Sequence, residues 1–130
     1  MNEIEAYSLA DDAPAHVYVH RSYVLDSFVT GLVRNLPVPT PSYFAIENAH
    51  LFREQFRRRR QLFVLIERRG TDQPAQARVR CIDGSVMVLD SPLSFTPQEG
   101  ACVQLLLGYT RKFIDARAAE KQEKERIIWI

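Results

Sequence analysis

Apolar residues recur along this chain with two different periods, and the change falls near residue 61. In the first half, Leu25, Phe28, Val29, Leu32, Val33 and Leu36 are spaced three or four apart, which predicts a helix over 22–36 with Ser22 as its N-cap. The segment PVPTP (37–41) then stops the helix, because proline removes an amide donor and fixes φ. Ile46, Ala49, Phe52 and Phe56 again follow helical spacing, so a second helix is predicted, capped by Ser42 and running to the arginines at 57–60. His16–Tyr23 fits a strand as well as a helix.

Beyond residue 61 the runs are short, aliphatic and β-branched: Leu62–Ile66 (LFVLI), Ala77–Ile82 (ARVRCI), Val86–Leu89 (VMVL) and Cys102–Leu107 (CVQLLL). Turn chemistry separates them, and Asp83-Gly84 predicts a hairpin. Four sequential antiparallel strands form a meander that twists and curls towards a small barrel. Residues 112–126 are mostly polar with i,i+4 ion pairs and predict a C-terminal helix. The closing IIWI (127–130) is predicted to add an edge strand or dock in the core. The fold class expected is therefore α+β within one domain. A loose arm over 1–15 leads to two N-terminal helices within 20–60. A four- to five-stranded antiparallel meander or small β-barrel over 61–108 and the C-terminal helix follow.

Composition changes this picture only in where the charge lies. The chain has 130 residues and a formal net charge of +1. Residues 1–52 hold two basic groups against six acidic, net −4, and residues 81–130 hold six against seven, net −1. Residues 53–80 hold nine arginines against three acids, net +6. Such a band on a near-neutral protein suits one anionic surface rather than general polyanion adhesion. Arginine presents a planar fork of donors that matches phosphate or carboxylate and stacks on bases.

Other chemistries find little to use. His16 and His20 share a face, but a metal site needs a third ligand, so neither metal nor cofactor is expected. No strained GxSxG elbow surrounds Ser85, and the five glycines form no phosphate loop. The expectation is a non-enzyme. Cys81 and Cys102 both fall in strand-like runs, with Cys81 on the face of Val79, and predict free, buried thiols suited to a reducing cytoplasm. The acidic N-terminus has no signal-peptide pattern, and no apolar stretch reaches the roughly 18 residues that span a bilayer, so a cytoplasmic protein without membrane contact is expected.

Two family resemblances involve the same arginines. Phe52–Gly70 (FREQFRRRRQLFVLIERRG) with Ala77–Val88 (ARVRCIDGSVMV) resembles the Hfq branch of Sm-like RNA-binding proteins. That resemblance implies that Arg57, Arg58 and Arg60 match RNA-contacting rim arginines. Arg53–Arg57 in RxxxR spacing, with Asp83–Val88 (DGSVMV) as a DxSxxG whose glycine is Val88, resembles PilZ domains. It implies a small barrel that binds cyclic di-GMP. The candidate ligand-binding residues are thus Arg53, Arg57, Arg58, Arg59, Arg60, Asp83 and Ser85. The expected function is a binding module or regulator that holds RNA or a nucleotide phosphate. The alternative is a protein–protein adaptor or immunity-type inhibitor that meets an acidic partner surface, and the acidic first half beside a basic band also allows a homo-oligomer.

Overall fold

The computed structural model describes residues 17–110 and 127–129. They form eight strands and one short helix: β1 (Val17–His20), β2 (Tyr23–Arg34), β3 (Tyr43–Ile46), α1 (Ala49–Gln55), β4 (Leu62–Ile66), β5 (Ala75–Asp83), β6 (Val86–Leu89), β7 (Cys102–Thr110) and β8 (Ile127–Trp129). Contacts divide the chain into two compact units, 29–105 and a second made of 1–28 with 106–130.

The larger unit is a closed antiparallel barrel. Its strand order is β2-β3-β6-β5-β4-β7, and β7 pairs back onto β2. Val33 makes that closure, donating to the Ala101 carbonyl at 2.9 Å and accepting from the Gly100 amide at 2.8 Å. Closure removes the exposed edges that a flat meander would leave. Side chains alternate across each strand, so Leu62, Val64 and Ile66 of β4 point inward with Val79, Met87 and Leu89. Phe52 of α1 is fully buried and is the largest side chain with no exposure among the described residues. Gly31 of β2 lies against the residue that follows β3: a Cβ there would lie 2.0 Å from the Glu47 carbonyl oxygen.

In the smaller unit, β1 and the start of β2 form a hairpin from Val17↔Asp26 to His20↔Tyr23. The buried Asp26 carboxylate accepts from the Phe28 amide at 2.8 Å. The end of β7 pairs with β8, Gly108 opposite Trp129 and Thr110 opposite Ile127.

The α+β expectation is overturned, because the described residues are predominantly β with a single helix. The first predicted helix is the twelve-residue strand β2. Its inward positions are Val29, Gly31 and Val33, but Phe28 and Leu32 on the outer face are also apolar, at 68% and 40% exposure. Two apolar faces on a strand mimic the three-and-four spacing of a helix. The second predicted helix begins as strand β3 and keeps only Ala49–Gln55. Its cap is Asn48, in the left-handed region at φ 60, rather than Ser42. The segment PVPTP therefore links two strands instead of two helices. The expected C-terminal helix and the arm over 1–15 lie outside the described residues.

Candidate anion-binding site

Seven residues make α1, and what ends it determines where the arginines go. Ala49, Phe52 and Gln55 form its buried stripe. After Phe56 no apolar residue follows until Leu62, so further helix would bury nothing against the barrel. The chain instead tightens: the amides of Phe56, Arg57 and Arg58 donate three residues back, to Arg53, Glu54 and Gln55 carbonyls at 3.0–3.2 Å. Only Arg53 is helical. The reading of Arg57 and Arg58 as members of the last helical turns is thereby corrected; they occupy a turn that enters β4.

Arg53 reaches the β5–β6 hairpin and donates to the Gly84 carbonyl. That contact brings it to the tip carrying Asp83 and Ser85, both exposed. Gly84 has φ 61, while Ser85 is not in the left-handed region. With Asp83 paired to Val86, the two-residue loop is Gly84-Ser85, one position later than Asp-Gly predicts. A positive φ at the first loop position alone is the pattern of a type II′ turn.

The remaining arginines differ in their restraint. Arg57 meets Glu54 at 3.5 Å, an exposed i,i+3 pair. Arg59 is half-buried and its Nε donates to Gln55 Oε1 at 3.4 Å. Arg58 and Arg60 are exposed, and among the described residues neither guanidinium has an ion-pair or hydrogen-bond partner. Arg80 joins them, although the candidate set omitted it. It follows Val79, the partner of Leu62, and so stands just past the end of the β4–β5 pairing, where the Arg57–Arg60 turn enters β4. It too is exposed and without a partner among the described residues. One signal for it was readable: in Ala77–Arg80, arginine alternates with small or apolar residues, which puts Arg78 and Arg80 on the outer face. Arg78 is not free, since it pairs with Asp90.

A β-bulge between Val79 and Cys81 shifts the register of β5. The extra residue turns Cys81 outward beside Arg80, so Cys81 is exposed rather than sharing the buried face of Val79. Cys102 is half-buried, with its sulfur 3.4 Å from Thr30 Oγ1, and both thiols are free. Among the described residues no three His, Cys, Asp or Glu side chains cluster as metal ligands, and no helix is long and apolar enough to cross a membrane.

The site therefore consists of exposed guanidiniums at 58, 60 and 80 with no partner among the described residues, with Arg57 paired to Glu54 and Arg53 braced on the hairpin tip. Such a face offers charge and hydrogen bonds to an anion. Compared with known protein families, curated proteins and solved structures, the chain matches none.

Proposed function

We propose that this protein is a non-enzymatic binding module that holds RNA through its phosphates on the Arg57–Arg60 turn and Arg80. The observation that carries this reading is that Arg58, Arg60 and Arg80 lie exposed at one end of the β4–β5 pair with no partner of their own. Their charge is not consumed by internal ion pairs, whereas Arg78 on the same strand is neutralised by Asp90. Phe63, half-buried opposite Arg78, adds an aromatic ring to the outer face on which a base can stack. The test is fluorescence anisotropy with a single-stranded oligoribonucleotide at low salt. Wild type is expected to bind, and the Arg58→Ala/Arg60→Ala/Arg80→Ala variant to lose about tenfold or more in affinity.

A second reading is favoured by the contact of Arg53 with the Asp83-Gly84-Ser85 tip. There a cyclic dinucleotide would find a guanidinium for phosphate and a carboxylate and hydroxyl for a guanine edge. Calorimetry with cyclic di-GMP separates the two: heat that disappears in Arg53→Ala supports the second reading. If neither RNA nor dinucleotide binds at low salt, an acidic protein surface becomes the better partner for these arginines.

A further inference from the structure

At the far end of β4 the chain carries another pair of arginines that the RNA-binding face does not use. Arg68 and Arg69 follow Ile66 and Glu67, and they flank an open cleft of about 220 Å3 with Phe95, Thr96 and Gln98. The Arg68 guanidinium lies over the Phe95 ring, 5.0 Å from its centroid. Arg69 donates through Nη1 to the Glu99 carbonyl at 3.1 Å. Both guanidiniums are thus held in place while remaining exposed, so little side-chain entropy is left to lose on binding.

Their charge is also not taken up by the carboxylates of Glu67 and Glu99, which are turned to backbone amides: Glu67 Oε1 accepts from Cys102 N at 3.0 Å, and Glu99 Oε1 from Asn35 N at 3.3 Å. Among the described residues neither Arg68 nor Arg69 forms an ion pair. Two fixed guanidiniums without an ion-pair partner, beside Thr96 and Gln98, present donors that match a phosphate. Arg68 lies over Phe95 and is exposed, so its guanidinium plane can also take a planar ring. The cleft is smaller than the roughly 300–1,000 Å3 of pockets that enclose drug-sized molecules, which limits it to one ring and one phosphate group.

We infer that this cleft is a separate site for a nucleoside 5′-monophosphate, its phosphate on the guanidinium edges and its base stacked on the guanidinium plane of Arg68. The same chemistry arrives as a free mononucleotide or as the 5′-phosphorylated end of an RNA strand. The site stands apart from the Arg58–Arg60–Arg80 face and does not depend on that face binding RNA.

The test is calorimetric titration at low salt with adenosine 5′-monophosphate, adenosine and inorganic phosphate as probes. The monophosphate is expected to bind more tightly than either fragment. Arg68→Ala and Arg69→Ala are each expected to weaken it by about tenfold, the loss of a charge-assisted contact. Arg58→Ala/Arg60→Ala/Arg80→Ala is expected to leave it within about twofold, which keeps failure of this site distinct from failure of the RNA-binding face. A 5′-phosphorylated hexaribonucleotide is compared with its 5′-hydroxyl counterpart in the same titration. A preference for the phosphorylated strand over its 5′-hydroxyl counterpart identifies an RNA end, and equal binding of the two strands identifies the free mononucleotide. No binding of the monophosphate, or binding unaffected by Arg68→Ala and Arg69→Ala, overturns the inference.

Discussion

The two ends of strand β4 both carry arginines, but they hold them in opposite ways. At its start, Arg58 and Arg60 leave a tight turn with no partner among the described residues. At its end, Arg68 is pinned on the Phe95 ring and Arg69 on the Glu99 carbonyl. The strand between them is five residues, about 17 Å at the usual strand rise. A single basic band in the sequence is therefore two surfaces. The unrestrained one suits a flexible polyanion that contributes many weak phosphate contacts. The restrained one suits a single small group in one orientation. Charge density alone does not separate these cases, and the partners of each guanidinium do.

The comparison can be broken most severely from inside. Phe52 seats α1 on the barrel and so fixes where the Arg57–Arg60 turn begins. Phe52→Ala is expected to lower stability by about 3–5 kcal/mol in urea unfolding. A loss below about 1 kcal/mol would mean that α1 does not hold the turn. Gly31→Ala comes next, because its Cβ would lie 2.0 Å from a backbone oxygen of Glu47. Overpacking there is expected to cost about 1–3 kcal/mol, read by the same unfolding curve. A neutral Gly31→Ala would show that Gly31 and the Glu47 carbonyl approach less closely.

Smaller effects sharpen the contrast between occupied and free arginines. Arg78→Ala removes an ion pair with Asp90 in which both side chains are more than a third exposed. The expected stability change is under about 1 kcal/mol and shrinks further in salt. Its effect on RNA affinity is expected to be smaller than that of Arg80→Ala, measured side by side by anisotropy. The least effect lies in the smaller unit. Burial raises Tyr23 above the ordinary phenol value, the Tyr109 phenolate adds to the rise, and Arg21 opposes it. The folded state then holds the Tyr23 proton more tightly than the unfolded chain does. This contribution is full below pH 10 and is lost as pH rises from there through the folded value. Wild type is expected to lose more stability than Tyr23→Phe across that alkaline window, while RNA binding at neutral pH is equal in both.

The strands after residue 61 were legible because each run is short, aliphatic and bounded by turn residues. Leu62–Ile66 and Val86–Leu89 are observed at the bounds that their composition marks. The first half was misread because β2 is apolar on both faces, and the four β-branched residues Val24, Val29, Thr30 and Val33 were outweighed by the spacing of Leu25, Phe28 and Leu32. Barrel closure rests on a pairing between Val33 and the residues at 100–101, which no local pattern encodes. Of the candidate site, the sequence located the arginine turn and the hairpin tip as separate runs. Their meeting through Arg53 and Gly84 depends on a packing of α1 that periodicity does not reveal. The alternation in Ala77–Arg80 marks Arg80 as outward but not its place beside the arginine turn, which comes from the Leu62–Val79 pairing, and the Arg68–Phe95 contact joins residues 27 positions apart.

The most direct test of the central claim is the salt dependence of single-stranded RNA binding by wild type and Arg58→Ala/Arg60→Ala/Arg80→Ala. Each phosphate neutralised on a single strand contributes about 0.7 to the slope of log affinity against log salt. Three contacts at the start of β4 predict that the variant's slope is shallower by about 2. Equal slopes in the two proteins would contradict the assignment of RNA phosphates to these arginines.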